Sequence, residues 1–426
     1  MNKKRLAAIP VLLLSAALGL SGCSQDAGTT TQASSGVTLR VWLVGSDTPQ
    51  NARDYLKTTF EAQNPGNTLV IEEQAWEGLV DKYTTSLSGD DTPDLVEIGN
   101  TQAPTFTSAG YFADLTSHYQ DLGGDDLLPG FVEIGSYDGK FYAAPYYSGA
   151  RVVTYTSQVY TGTVPTTYDE FLADGRAMTT DTISGIYIPG KDWRNGMSYV
   201  WTEGGEIATQ NSDGTWTGGF SSPESIKGLQ TFQSLFADKI TKGPSDVIEG
   251  DWEIPFCAGT VGFLQAASWV AGSLEASQTA NPAGCGETWG NPDQMHQFAM
   301  PGKTAGTYAP VLAGGSNIAI AAKSQHQDLA YNALQIMMSD DYQKLLAAQG
   351  MVPARISQAK YMPDNEFSVA AANAASAAKL TPASPKWADV ESATILEDSF
   401  SKIAQGQDVT TVAADMDARI EAILNG

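Results

Sequence analysis

The sequence predicts an α/β protein of two lobes, each a mostly parallel sheet flanked by helices, and three observations carry that expectation. The chain has 426 residues, too many for one ordinary core and suited to two. Its N-terminal part alternates apolar strand-like runs with segments of helical period, the β-α-β order of a sheet covered by helices. Residues 138–155, DGKFYAAPYYSGARVVTY, read as a passage between lobes. Asp138-Gly139 makes a tight turn, Phe141, Tyr142 and Pro145 carry strand character, and Val152, Val153 and Tyr155 form a β-branched run. Such a passage is expected as a pair of strands with a pliable join near Ser148 and Gly149. Ligands sit most often at joins of this kind.

Composition narrows the classes. The chain is 42% apolar and 17% charged, with 24 basic against 48 acidic side chains. So acidic a surface repels phosphate backbones and anionic headgroups, which argues against nucleic-acid binding. Lys3, Lys4 and Arg5 precede an apolar run from Leu6 to Leu20, shorter than the roughly 20 residues a spanning helix needs. The run ends in Leu20-Ser21-Gly22-Cys23, which resembles the bacterial lipoprotein box; an ordinary secretory signal ending near a cysteine is the other reading. Residues 1–22 are therefore expected to be a signal peptide and Cys23 the lipidated first residue. Residues 23–36, small and polar, would be a flexible tether. Without the leader the balance is 21 basic against 48 acidic, or −27. Cys257 and Cys285 remain, and outside the cytoplasm such a pair bridges more often than it stays as two buried thiols. Two cysteines and scattered histidines fall short of a metal site, so no metal or cofactor is expected.

In chain order, Val37 to Val44 is the first strand, and Thr48-Pro49 opens a helix with Ala52, Tyr55, Leu56 and Phe60 on one face. Asn64-Pro65-Gly66 stops it, and Thr68 to Ile71 is the next strand. A helix around Leu79 to Leu87 leads to the short buried strand Pro93 to Ile98, with Asn100, Thr101 and Gln102 at its carboxyl end. In open α/β sheets that edge faces the ligand crevice. Beyond the passage, Thr166 to Phe171 enters a helix, Ile186 to Ile188 is a strand, and Asp192, Trp193, Arg194 and Asn195 make a polar-aromatic loop. Ser222-Pro223 caps a helix, Phe256 to Trp269 is a glycine-rich apolar run, and Leu312 to Ala322 is a strand entered through Gly314-Gly315. The tail is helical, with a last helix near Val409 to Leu424.

The segments VTLRVW, FEAQNPG, PDLVEIGN, AGYFADLT, DGKFYAAPYY, VPTTYDEF, FSSPESIKGLQTF, FCAGTVGFLQAASW and LAGGSNIAIA follow the lipobox in one order over nearly the whole mature chain. In that order they resemble the family-1 extracellular solute-binding proteins that feed carbohydrate ABC transporters. The resemblance implies a two-lobe, periplasmic-binding-protein-like fold joined by about three crossover segments and closing on a sugar like a hinged trap. The first lobe would comprise residues 37–147 and 311–358, and the second 148–310 and 359–426. It further implies a monomeric receptor, held to the outer face of the cell membrane by lipid on Cys23. That receptor would pass its sugar or oligosaccharide to permease subunits that are separate chains.

A sugar offers hydroxyls at its rim and C–H faces above and below, so its site needs flat aromatic rings beside acids, amides or Arg. Trp269 is the first candidate, because the resembling proteins commonly place a stacking Trp there. Trp387 stands in a C-terminal segment from which family members often bring an aromatic. Trp193 with Asp192, Arg194 and Asn195, and Trp76 beside Glu73, Gln74 and Glu77, are candidates by their polar surroundings; core packing is the blander reading of each ring. Asp47, Asn100 and Gln102, with Tyr146 and Tyr147, are the candidates for hydroxyls, and Gly314 and Gly315 could bring backbone close to ligand. Trp42, within a strand, is expected in the core. No Gly-x-Ser-x-Gly elbow, H-E-x-x-H motif or P-loop is present, and His118, His296 and His326 lie far apart. Binding rather than catalysis is expected. A receptor for a non-sugar solute, or a secreted glycoside hydrolase using two of the many carboxylates, are the rival readings.

Overall fold

A computed structural model describes residues 36–426 apart from positions 46, 77, 249–251 and 280–283. The expected signal peptide, Cys23 and nearly all of the tether lie outside the described residues. Nine strands form the main sheet: β1 (Thr38–Val44), β2 (Thr68–Gln74), β3 (Leu95–Gly99), β4 (Ala143–Thr156), β5 (Ser184–Tyr187), β6 (Val261–Ala267), β7 (Met295–Phe298), β8 (Ala313–Ile320) and β9 (Val352–Pro353). The order across it is β2-β1-β3-β8-β4-β6-β5, with β7 and β9 also pairing with β4. β1 runs parallel to β2 and β3, and β5 parallel to β6, the pairing expected where helical segments connect the strands. β8 is antiparallel to both β3 and β4, and β4 is antiparallel to β6.

Period-2 alternation sorts the first-lobe side chains onto two faces. Leu39, Val41 and Leu43 pack with Leu56, Phe60 and Ile318 on one face, while Trp42 and Val44 pack with Tyr83, Val96 and Phe106 on the other. Trp42 is thus in the core, its indole N–H donating to Glu72 at 2.7 Å. The second-lobe core gathers Val152, Val153, Phe171, Phe232, Phe263, Phe298 and Phe400. Each such side chain contributes roughly 1.5–3 kcal/mol by leaving water.

The passage between lobes differs from the expectation. Asp138 and Gly139, with φ of 49° and 73°, do turn a hairpin between Ser136–Tyr137 and Lys140–Phe141. Beyond the hairpin, however, the chain runs as one buried strand of 14 residues rather than two strands with a pliable join. Its first half pairs with β8 and its second with β6 and β7, so it belongs to both lobes. Ser148 and Gly149 do not break it, because Gly314 and Gly315 of β8 bond one edge and Val352 of β9 lies against the other. Beside this junction Lys379 bonds the backbone of Val311 and Ala313, bringing a third chain segment alongside.

A second difference lies at residues 192–195. They begin the helix Trp193–Glu203, with Asp192 as its N-cap accepting the Asn195 amide at 3.0 Å, so the expected loop is a helix start. Cys257 and Cys285 form a disulfide (S–S 2.02 Å), tying the helix Glu253–Cys257 to the segment after residue 283. No helix among the described residues is long and apolar enough to cross a membrane.

Candidate functional site

The carboxyl ends of β1 and β2 bring two expected residues together where the first lobe meets β4. Asp47 follows β1 and Trp76 follows β2, and the Trp76 indole N–H donates to the Asp47 carboxylate. Two glycines seat this ring. A Cβ on Gly45 would stand 3.0 Å from Trp76 Nε1, and one on Gly99 2.9 Å from Cζ3. Gly45 also needs its φ of 59° to turn the chain off β1. Trp76 remains 43% exposed, so its other face meets solvent.

Trp269 repeats the arrangement on the other side of the junction. It follows β6 and lies on glycines of the crossover: a Cβ on Gly149 would come 2.4 Å from its Cζ3, and one on Gly314 3.1 Å from Cη2. The Tyr147 ring meets it edge-on, centroids 6.3 Å apart. Gly315, at φ 126°, has no room for a side chain either, since a Cβ would fall 2.3 Å from the Tyr147 carbonyl oxygen. Half-buried Trp269 therefore owes its place to the Gly314-Gly149 pair, which acts as a ring seat.

Behind these rings lies a buried polar cluster. The Tyr147 hydroxyl stands 2.9 Å from Glu97 Oε1 and 3.3 Å from Asp47 Oδ2. Glu97 Oε2 accepts the Val44 amide at 2.9 Å, and Ser316 favours the ionised form of the same carboxyl. Burial pushes the Glu97 carboxyl up to about 7, against its hydrogen-bond donors, and burial also raises Asp47 while Trp76 and Tyr147 pull it back. Arg151, further along β4, lays its guanidinium 5.4 Å from the Trp252 ring centre.

The remaining candidates are placed differently. Asn100 is buried and splices β3 to β8, its Nδ2 donating to the Ala313 carbonyl at 2.7 Å. Gln102 Nε2 donates to Glu391 at 2.6 Å and the Thr101 hydroxyl to the same oxygen at 3.1 Å, a contact across the lobes. Trp193 and Trp387 are fully buried, which corrects the expectation of ring faces open to solute. Their indole N–H groups donate to Glu397 at 2.9 Å and Glu391 at 3.1 Å. Arg194, half-buried, covers the Trp193 ring at 4.9 Å. Asp192 and Asn195 are buried in the cap, and Tyr146 is enclosed with its hydroxyl between Thr48 (2.7 Å) and Tyr342 (2.6 Å). Glu97, Arg151, Trp252 and Glu391 were not singled out by sequence. An acid inside the apolar strand LVEIG and a lone Arg in GARVVTY were the available signals.

A separate groove of 310 Å³ on the second lobe, lined by Pro165, Phe298, Tyr308, Glu366 and Val369 among others, contains none of the expected residues. Among the described residues no group of three or more His, Cys, Asp or Glu could hold a metal ion.

One sheet whose two halves share a single long strand, with open rings and polar groups gathered at the strand ends beside it, defines a two-lobed solute-binding protein. Sequence comparison gives the same class: the profile of the bacterial extracellular solute-binding proteins matches residues 56–377, and the chain belongs to that family. It is 32% identical over 403 residues to the diacetylchitobiose binding protein DasA of Streptomyces coelicolor, covering 92% of this chain and 91% of that one. A putative binding protein of Brucella abortus is 25% identical over 394 residues, 87% of this chain and 89% of the relative. Among solved structures, the GacH receptor of Streptomyces glaucescens, known unliganded and with acarbose, superimposes with a TM-score of 0.79 at 18% identity. That match covers 92% of this chain and 99% of the receptor. An ABC transporter solute-binding protein of Thermotoga lettingae, bound with α-D-tagatose, gives 0.77 at 20% identity over 91% of this chain and all of that one. At such identities these two matches speak for the fold alone.

Proposed function

We propose that this chain captures a sugar or oligosaccharide between its lobes and delivers it to the permease of an ABC importer, without chemical change. The observation that carries the reading is the pair of glycine-seated indoles, Trp76 and Trp269, on either side of Asp47 and Tyr147. A ring backed by glycine presents one rigid face at little entropic cost, which suits the C–H face of a pyranose. The adjacent carboxylate accepts hydroxyls through charge-assisted bonds. The likeness to a diacetylchitobiose binding protein makes N-acetylated disaccharides the first to test. The lobe boundaries at residues 147/148, 310/311 and 358/359 belong to the same proposal. They are supported by β8 pairing with β3 and by the helix Glu366–Ser376 packing on β7. So do a monomeric state and export with lipid on Cys23, supported by the leader sequence and the family.

A thermal-melt screen of residues 24–426 against mono- and oligosaccharides tests the reading. A bound ligand at a hundred times its Kd adds about 2.7 kcal/mol and raises the Tm, and the sugar should be recovered intact. Release of new reducing ends over hours would make the chain a glycoside hydrolase instead.

A further inference from the structure

The Glu97–Tyr147–Asp47 cluster is more polar than a strand core requires. Glu97 is wholly buried, and it sits between the apolar residues Val96 and Ile98 of its own strand. Its two oxygens are not equivalent. Oε2 is held by the Val44 amide, a donor that never leaves, so a proton taken up by this carboxyl must sit on Oε1, the oxygen 2.9 Å from the Tyr147 hydroxyl. Tyr147 has one proton and two carboxylate neighbours, and it can donate to only one at a time.

We propose that Glu97 is a positioning residue which, through the Tyr147 hydroxyl, decides whether Asp47 is free to accept a hydroxyl from the bound solute, so that proton uptake by Glu97 weakens capture and capture is coupled to proton release. When Glu97 is ionised, Tyr147 donates to it across the shorter contact, and Asp47 keeps an oxygen for the solute. When Glu97 takes a proton from solvent on Oε1, that proton is donated to Tyr147 Oη. The tyrosine's own proton then turns to Asp47, which becomes the poorer acceptor. Tyr147 keeps one proton throughout, and the net change is one proton gained by Glu97. Burial raises this carboxyl to about 7, which places the switch near neutral pH.

The groups facing the cluster leave this assignment intact. Arg53 from the helix Gln50–Gln63 and Arg151 from β4 act on Asp47, and Ser316 from β8 donates to the Tyr147 hydroxyl oxygen at 3.4 Å and favours the ionised Glu97. Tyr83 donates to the Glu97 backbone carbonyl at 2.7 Å, and Tyr146 and Tyr342 complete the shell; burial holds all three protonated. The histidines lie elsewhere: His118 against Tyr331, His296 on Glu366, and His326 beside the helix Gln327–Met337.

The binding half of this inference rests on the sugar-capture reading, so its test has an arm without ligand. Trp76 donates to Asp47, and its emission reports the Asp47 hydrogen bonds. A pH titration of tryptophan emission, wild type minus Trp76→Phe, should show a step near neutrality that Glu97→Gln abolishes. Absence of that step overturns the relay. In the ligand arm, the saccharide found by the melt screen should bind wild type about fivefold or more tightly at pH 8 than at pH 6. Glu97→Gln should bind with one affinity across that range. Tyr147→Phe, which removes the relay but leaves Glu97 able to titrate, should also lose the pH dependence and serves if Glu97→Gln does not fold. A wild type insensitive to pH, or a Tyr147→Phe variant that keeps the wild-type dependence, contradicts the proposal. Should no saccharide bind, sugar capture fails and the emission step alone decides the relay.

Discussion

The two walls of the junction handle tryptophan in opposite ways. On the first-lobe wall Trp76 follows a strand with acids and an amide around it; on the second-lobe wall Trp193 does the same. Yet Trp76 is 43% exposed and Trp193 not at all. Trp76 rests on glycines and spends its N–H on Asp47 at the solvent edge. Trp193 opens a helix whose N-cap turns it inward, where Glu397, itself buried, takes its N–H. What separates a ring available to ligand from a ring built into the core is therefore the partner beneath it. A glycine leaves one face free, whereas a buried carboxylate and a helix enclose both.

Mutations should divide along this line, and the largest effect is on the core rings. Trp193→Ala should lose about 3–5 kcal/mol in urea unfolding, from the cavity and from Glu397 left without its donor. Trp76→Ala should change stability by under about 1 kcal/mol. Equal losses would erase the contrast.

Next comes the buried acid behind the open rings. Its folded value of about 7 lies above the ordinary 4.5, so the folded state holds a proton that the unfolded state has released between those pH values. Stability contributed by this group is full below pH 4.5 and falls by about 3 kcal/mol as pH rises to 7. Asp47, Glu275 and Glu397, raised by burial, act in the same direction. Urea unfolding of Glu97→Gln from pH 4.5 to 7.5 should show a flatter profile than wild type. On the second lobe, removing the Cys257–Cys285 bridge should cost about 2–4 kcal/mol, read as a lower urea midpoint under reducing conditions. The smallest effects sharpen the ring seats. Gly149→Ala should displace Trp269 and weaken saccharide binding more than Gly314→Ala, where the added methyl meets the ring at 3.1 Å rather than 2.4 Å.

Much of this was legible in the residues. The β-α-β order, the turn at Asp138-Gly139 and the N-capping Ser222 read directly, because each is a local device. The helix start at Asp192 was equally local: an Asp three residues before Asn195 is an N-cap pattern, and the aromatic neighbours obscured it. The continuous β4 strand was not legible, since Ser148-Gly149 breaks a strand unless glycines of another strand lie opposite, and those are more than 160 residues away. The same holds for Gln102 meeting Glu391, 289 positions apart. Gly314 and Gly315 stood out in the sequence, but that one of them seats Trp269 needed the fold.

The central claim is that Trp269 on its glycine seat is a ligand platform. Calorimetric titration of wild type and Trp269→Ala with N,N′-diacetylchitobiose, or whichever saccharide raises the Tm most, tests it most directly. Saturable micromolar binding by wild type is expected. The variant, folded by its unchanged circular dichroism, should lose on the order of 2 kcal/mol, some thirtyfold in Kd. Undiminished affinity in the folded variant would contradict the account and move the ligand away from this ring.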